Sequence, residues 1–334
     1  IYAKCNQGGS QKILREVACH LGRRGHAVSI YCPAGPGVDA AFSLGVNVRV
    51  FPTLGFKPSY PEPYYAAPYR LRDVILRIAS ALEEADVFYI HDSELLFRFL
   101  FDNIPTAISF RDFVYPDTLA GAMSFDRDLL ILNSTYAYRC VSEIFGSFRP
   151  GLRKRVRLIP NGIDLHHFAP RAGCGRLKKQ LGLRAGSVPI LFPHRSDPRK
   201  GLIEAVDIVG KLCQSLGSLG KSVRLLVPKG TEYALNVEEG HIYGRIYDVA
   251  LKRAAELGIG EQIILHDWIP YALLPEYYSL GTATLSIGSF VECFGSNSSI
   301  ESEACGTPCV ISRVAAQRYT FPEAMVYKVD PGDA

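Results

Sequence analysis

Short apolar runs rich in Val, Ile, Leu and Phe alternate with longer stretches whose apolar positions recur three and four residues apart, almost from end to end of the chain. A short run of this kind suits a strand covered on both faces, and the wider spacing makes one stripe of a helix. The alternation therefore predicts βαβ units and mostly parallel sheets. In the first half, strands are predicted over Ala27–Cys32, Val46–Phe51, Asp86–Ile90, Pro105–Phe110, Asp128–Asn133 and Arg155–Ile159, with helices over Ser10–Arg24, Pro68–Glu84 and Thr135–Phe145. In the second half, strands are predicted over Val188–Phe192, Ser222–Val227, Gln262–His266, Thr282–Ile287 and Pro308–Ser312, with helices over Gly201–Leu216, Tyr243–Leu257, Tyr271–Tyr278 and Ser298–Cys305.

Both halves carry the pattern, and 334 residues exceed what one hydrophobic core usually supports. Two α/β domains of roughly 150 residues each are expected. Between them lie Pro160-Asn161-Gly162-Ile163-Asp164 and the aperiodic stretch Pro170–Gly186. Asn-Gly is a strong turn signal, which divides the chain into residues 1–165 and 166–334. The Tyr- and Pro-rich segment Thr53–Tyr69 reads as a long loop of the kind that carries function. The sequence opens at Ile1-Tyr2-Ala3-Lys4 without Met, which leaves a missing leader or first strand open. It closes at Asp330-Pro331-Gly332-Asp333-Ala334 just after a strand-like run, so final helices are expected to be missing.

Composition narrows the class. The apolar fraction of 48% and charged fraction of 21% are ordinary for a soluble protein, and no apolar run approaches the roughly 20 residues of a membrane span. The nine cysteines form no C-x-x-C pair and are odd in number, against a zinc ribbon or a disulfide framework, so a reducing, cytoplasmic setting is expected. A net charge of +4 is too small to demand nucleic acid, although it favours a diphosphate or an anionic surface.

Three segments carry candidate chemistry. Gly8-Gly9-Ser10-Gln11 precedes an amphipathic helix marked by Ile13, Leu14, Val17, Ala18 and Leu21. Paired glycines let backbone approach a ligand and a helix N-terminus offers free N–H groups to oxygens, but an ordinary strand-to-helix turn reads the same way. Arg195-Ser196-Asp197-Pro198-Arg199-Lys200-Gly201 lies between a predicted strand and a helix. Arg offers a planar fork and Lys a point charge to pyrophosphate oxygens, and ligands of open α/β sheets bind at carboxyl ends of strands. A solvated basic loop is the alternative. The third segment runs from Ser289 through Glu292, Phe294, Gly295, Ser296, Asn297 and Ser298 to Glu301, and its helix ends at Ala304-Cys305-Gly306-Thr307-Pro308. Two carboxylates flanking a Gly/Ser/Asn loop suit sugar or ribose hydroxyls. Ser298-x-x-Glu301 is equally a capping box, in which the glutamate only satisfies a backbone N–H.

Taken in order, these segments resemble the retaining family 4 glycosyltransferases of the GT-B fold, over nearly the whole chain. The resemblance rests on Gly8 and Gly9, on Ile159–Gly162 with Asp164, on Arg195 and Lys200, and on Glu292–Pro308. It implies two Rossmann-like α/β domains with parallel sheets facing a central cleft, the N-terminal one on the acceptor side and the C-terminal one binding the nucleotide sugar. Arg195 and Lys200 would hold the diphosphate, Glu301 the ribose, and Glu292 with Phe294 and Gly295 the transferred sugar. Arg195, Lys200 and Glu292 are thus the candidate catalytic residues. Gly8, Gly9, Arg111, Phe294, Gly295, Ser296, Asn297, Ser298 and Glu301 are the candidate donor-binding residues. Two departures stand out. Eight residues separate Glu292 from Glu301 where the family usually has seven, and Arg111 in Phe110-Arg111-Asp112 stands where a His often points at the sugar. Arg111 serves either the donor or an anionic acceptor.

The resemblance implies a UDP- or GDP-sugar donor and a saccharide, glycan or lipid-linked hydroxyl acceptor, with no cofactor and no metal. A front-face attack retains configuration without a carboxylate nucleophile, and the main catalytic effect is electrostatic stabilisation of the departing diphosphate. Asp126-Arg127-Asp128 matches a metal-chelating Asp-x-Asp but directly precedes an apolar strand. His91, Asp112 and His194 are second-rank candidates. Arg153-Lys154-Arg155-Val156-Arg157 is read as a solvated strand edge, with contact to an anionic membrane as the alternative. A nucleotide-sugar epimerase or hydrolase, or a non-catalytic sugar-nucleotide-binding subunit, fits the same segments. A dinucleotide oxidoreductase does not, because no G-x-G-x-x-G follows a strand.

Overall fold

A computed structural model describes residues 9–34, 40–56, 65–92, 97–111, 121–122, 125–149, 151–194, 197–229, 237–288 and 296–332. The chain divides into two compact units, Ile1–Asn161 and Gly162–Ala334, which part inside the Pro160–Asp164 turn.

The first unit opens with α1 (Gly9–Arg23), which lays Leu14 and Ala18 on a three-stranded sheet of β1 (Val28–Pro33), β2 (Phe42–Gly45) and β3 (Val48–Leu54). Its order is β1-β3-β2, with β1 and β3 parallel and β2 antiparallel at the edge. The pattern of Val48 and Val50 buried with Arg49 exposed fits a strand covered on one face. Sequence reading missed β2, a four-residue strand with alternate exposed positions. Gly22 of α1 touches the β2–β3 turn so closely that a Cβ there would lie 2.1 Å from the Val46 carbonyl oxygen. Asn47, in the left-handed region at φ 57, donates to the Gly22 carbonyl at 3.3 Å.

Next, α2 (Pro68–Glu83) begins at a proline, whose fixed φ suits the first helical turn, and buries Val74 and Ile78. It leads into a parallel sheet of β4 (Phe88–His91), β5 (Thr106–Phe110), β6 (Leu129–Leu132) and β7 (Val156–Leu158), in that order. Ile90, Ile108, Phe110, Leu130 and Leu132 form its core with Phe101 and Phe125. α3 (Thr135–Ile144) starts on Ser134, whose hydroxyl accepts from the Ala137 N–H at 3.0 Å. The basic run expected as a strand edge begins instead as the helical turn α4 (Leu152–Arg155). Arg155 there donates to the carbonyls of Asp126 and Arg127, so one of the run's exposed charges also closes a loop. The Asp-x-Asp pattern is also spoken for: Asp128 accepts from the Thr106 N–H, and Arg127 bridges Asp102 and Asp126.

In the second unit, α5 (Gly175–Gln180) precedes a six-stranded sheet, entirely parallel. Its strands are β8 (Val188–Leu191), β9 (Val223–Pro228), β10 (Ile263–His266), β11 (Ala283–Ser286), β12 (Cys309–Ser312) and β13 (Tyr327–Val329), ordered β10-β9-β8-β11-β12-β13. α6 (Leu202–Ser215) and α7 (Val237–Glu256) cover one face over Ile190, Leu225 and Val227. α8 (Leu274–Ser279) and α5 cover the other over Leu191 and Leu226. Neighbouring residues of one strand thus enter different cores, which explains the uninterrupted apolar runs. α8 follows a separate turn at Tyr271–Leu273, so the expected single helix is split at Pro275 in its first turn. α9 (Asn297–Ala304) and the short α10 (Gln317–Thr320) flank β12. From β8 the sheet grows outward through β9 in one direction and β11 in the other, so β8 and β11 meet at the topological switch point, where open α/β sheets bind ligands. No described helix is long and apolar enough to cross a membrane.

Candidate functional site

Two chain segments meet at the carboxyl ends of β8 and β11. After β8 comes His194, 7% exposed, whose Nε2 lies 3.2 Å from the Leu285 carbonyl oxygen of β11. A carbonyl only accepts, so Nε2 carries the proton and donates. Burial, and then the charge of Lys200, hold the His194 pKa at about 3, so the ring is neutral at physiological pH.

Asp197, 1% exposed, starts the turn Pro198–Lys200. Its Oδ1 accepts from the Arg199 backbone N–H at 2.9 Å and from Nε at 2.8 Å, and Oδ2 accepts from Nη2 at 2.5 Å. Of the two adjacent cations, Arg199 is therefore clamped by its own turn, while Lys200 remains half-buried close enough to depress His194. Gly201 adopts φ +83, and a Cβ there would lie 2.9 Å from the Ile287 carbonyl oxygen. A Cβ on Gly288 would lie 2.5 Å from the Arg199 carbonyl oxygen. Two glycines thus allow the Lys200 turn to rest directly on the backbone that leaves β11. Behind it, the Ser312 hydroxyl donates to the Gly288 carbonyl at 2.6 Å, and buried Gln317 bonds Ser286 at 2.9 Å and Ser312 at 3.0 Å.

α9 begins beside this point. Its N-cap is Ser296, at φ 59, whose hydroxyl lies 2.5 Å from that of Ser298. A capping box would need serine at the N-cap and glutamate three residues on. Here the third position is Ser299, so Ser298-x-x-Glu301 is out of register for that motif. Glu301, 5% exposed, accepts at Oε2 from the Tyr278 hydroxyl at 2.7 Å. Asn297 and Ser298 are half-buried in the first turn. Arg195, Glu292, Phe294 and Gly295 lie outside the described residues, as do Gly8 and Asp112.

The first unit has its own cluster at the carboxyl ends of β4 and β5. His91 lies 2.9 Å through Nδ1 from the Tyr89 hydroxyl and 3.0 Å through Nε2 from the Ser10 carbonyl oxygen on α1, whose first residue is the exposed Gly9. Nε2 therefore donates and Nδ1 accepts from the phenol. Burial, then the Arg111 charge, hold this histidine at about 3, against a weaker upward pull from the Ser10 bond. Arg111 donates from Nη1 to Asn161 at 2.6 Å, and its carbonyl accepts from Asn133 at 3.1 Å. The buried Arg111 Nε has no hydrogen-bond partner among the described residues. Position after a predicted strand nominates Lys200 and His91, whereas Arg111 is nominated by the family resemblance and His194 by its place beside Arg195. Tyr278 and Gln317 carry no local motif, because only the fold brings them beside those residues, and Asn161 was read as part of the turn motif Ile159–Gly162 without its bond to Arg111.

Among the described residues, no group of three or more His, Cys, Asp or Glu side chains is arranged to hold a metal ion. Residues 7–167 match the profile of Glycosyltransferase Family 4. A D-inositol 3-phosphate glycosyltransferase of Acidothermus cellulolyticus is 28% identical over 187 residues, 56% of this chain and 38% of that protein. The first half of the chain is thus similar to glycosyltransferase family 4. The matched chain spans well under half of that relative's length. The chain has the GT-B plan of two Rossmann-like α/β domains. Its fold matches sucrose-phosphate synthase from Thermosynechococcus elongatus with a TM-score of 0.71 at 19% identity, covering 98% of this chain and 81% of that one. It likewise matches Anabaena Alr3699/HepE, solved in complex with UDP and glucose, with a TM-score of 0.71 at 17% identity, covering 98% and 83%.

Proposed function

We propose that this chain transfers a glycosyl group from a UDP- or GDP-sugar to an acceptor hydroxyl, with retention of configuration and without a metal. The observation that carries the reading is the Lys200 turn seated on Gly288 at the switch point of the second unit. In this reading Lys200 and Arg195 take the diphosphate oxygens, Glu301 accepts from the ribose hydroxyls, and Glu292 with the backbone at Phe294 and Gly295 contacts the sugar. Charge grows on the leaving diphosphate as the glycosidic bond breaks, and fixed cations stabilise that charge without reorganising. The acceptor hydroxyl attacks the anomeric carbon from the side the diphosphate leaves and passes its proton to the leaving phosphate oxygen. The nucleotide ligand of Alr3699/HepE supports the donor class.

The acceptor in this reading is a saccharide or polyol bearing an anionic group, taken by the first unit. Support comes from the Arg111 Nε, which has no hydrogen-bond partner among the described residues, beside a histidine held neutral. Relatives named for inositol 3-phosphate and sucrose phosphate agree with that chemistry. A glycan or lipid-linked acceptor that carries a phosphate or carboxylate offers the same anionic handle, and the exposed cations Arg153 and Lys154 are where peripheral contact with an anionic membrane would fall. The test is turnover of UDP- and GDP-sugars with sugar phosphates, comparing wild type with Arg195→Ala. A loss on the order of a hundredfold is expected. Undiminished turnover would refute the diphosphate assignment, and release of free sugar from donor alone at the full rate would favour a hydrolase.

A further inference from the structure

Tyr278 plays no part in the reading above, yet its hydroxyl is bonded to the carboxylate on which the ribose contact depends. The residue is 2% exposed, and its hydroxyl donates to Glu301 Oε2 at 2.7 Å. Its neighbour Tyr277, equally buried, turns the other way and bonds His266 Nε2 at 3.2 Å. Packing fixes the Tyr278 ring: Phe168 lies at 6.4 Å between centroids, and the Thr307 hydroxyl donates to the Tyr278 carbonyl at 2.7 Å. Burial, then the Glu301 charge, raise the Tyr278 phenol well above its ordinary range, so it remains a proton donor at any working pH. A buried carboxylate held at one oxygen by a rigid phenol has its remaining lone pairs aimed by that bond.

We propose that Tyr278 is a positioning residue for the donor's ribose: it orients Glu301 so that the carboxylate accepts from the 2′- and 3′-hydroxyls of the nucleotide. The inference rests on the reading of Glu301 as the ribose contact. It goes further in naming the group that makes the contact directional, and in predicting that selection for a ribose diol is set by a residue that never touches it.

The probes are UDP and GDP, each paired with its 2′,3′-dideoxy analogue, with binding measured calorimetrically. Wild type is expected to prefer the ribose form of its nucleotide by roughly tenfold to a hundredfold, the range for hydrogen bonds to a charged group. Tyr278→Phe removes one oxygen, keeps the ring, and should shrink the preference to a few-fold by weakening the ribose form alone, with KM for the donor raised more than kcat is lowered. Tyr277→Phe, as deeply buried, should keep the full preference. Glu301→Gln should lose it. Full preference in Tyr278→Phe alongside its loss in Glu301→Gln overturns the positioning role and leaves the ribose reading standing. Equal weakening of both probes in Tyr278→Phe means a structural role and also overturns it. Full preference in Glu301→Gln, or no preference in wild type, overturns the ribose reading itself.

Discussion

Replacing Gly288 with alanine tests whether the Lys200 turn owes its position to the backbone beneath it. The added Cβ would lie 2.5 Å from the Arg199 carbonyl oxygen, whereas ordinary contacts begin near 3.4 Å, so one side must retreat by roughly 0.9 Å. The oxygen side resists, because Arg199 is tied through its backbone N–H and its guanidinium to the 1%-exposed Asp197. The glycine side resists too, because the Gly288 carbonyl accepts from Ser312 at 2.6 Å. Overpacking of this kind costs about 1–3 kcal/mol in stability. The functional effect should be larger, since misplacing a reacting group by about 1 Å can cost a hundredfold in rate. Gly288→Ala should therefore stay folded, with Tm lowered by a few degrees, and lose about two orders of magnitude in kcat/KM for the donor. Donor-saturation kinetics and thermal unfolding read both. A variant with unchanged kcat/KM and unchanged Tm would show that the turn shifts freely and would refute the argument.

Other consequences can be measured separately. Lys200→Ala should lower kcat/KM on the order of a hundredfold and leave the fold intact, checked by kinetics with circular dichroism; retained rate would remove Lys200 from the diphosphate grip. The folded state holds His194 near 3 against 6.5 when free, so the unfolded chain binds the extra proton between these values. Stability from this group is complete above 6.5 and falls as the pH drops, by about 2 kcal/mol near pH 5. Denaturant titrations of His194→Gln should show a shallower acid slope than wild type, and an identical slope would contradict the assignment. Arg111→Met should raise KM for a phosphorylated acceptor about tenfold or more while leaving KM for the donor unchanged; an effect on the donor alone would reverse the roles. Gly22→Ala, with a Cβ 2.1 Å from the Val46 carbonyl, should destabilise by about 1–3 kcal/mol, and an unchanged melting curve would mean the β2–β3 turn moves aside.

The all-parallel six-stranded sheet was readable because both its faces are covered, which forces runs such as Val188–Leu191 and Leu225–Val227 to be apolar throughout. β2 was not, because an edge strand of four residues with alternate exposure has no run to detect. Lys200 could be nominated from its place after a predicted strand, and Arg111 from the family resemblance at the position after Phe110. That Arg199 belongs to Asp197, and that Glu301 answers to Tyr278 rather than to a capping serine, depended on φ values and on contacts 23 residues apart in the case of Glu301. Sequence offers residue types and spacing, and neither contains the direction in which a guanidinium or a carboxylate points.

α1 is a lever with an unequal grip. Its Gly22 end is wedged against the Val46 turn and bonded by Asn47, and its Cys19 thiol reaches the Leu44 carbonyl at 3.7 Å. At the other end the Ser10 carbonyl is held by the His91 ring. At 1.5 Å per residue the arm from Gly22 to Ser10 is about 18 Å, so a tilt of about 3° at the wedge moves the Ser10 end by about 1 Å. A bulky change at Gly22 or Val46 should therefore be felt first as a stretched His91–Ser10 bond, nearly the whole length of the helix away from where it was made.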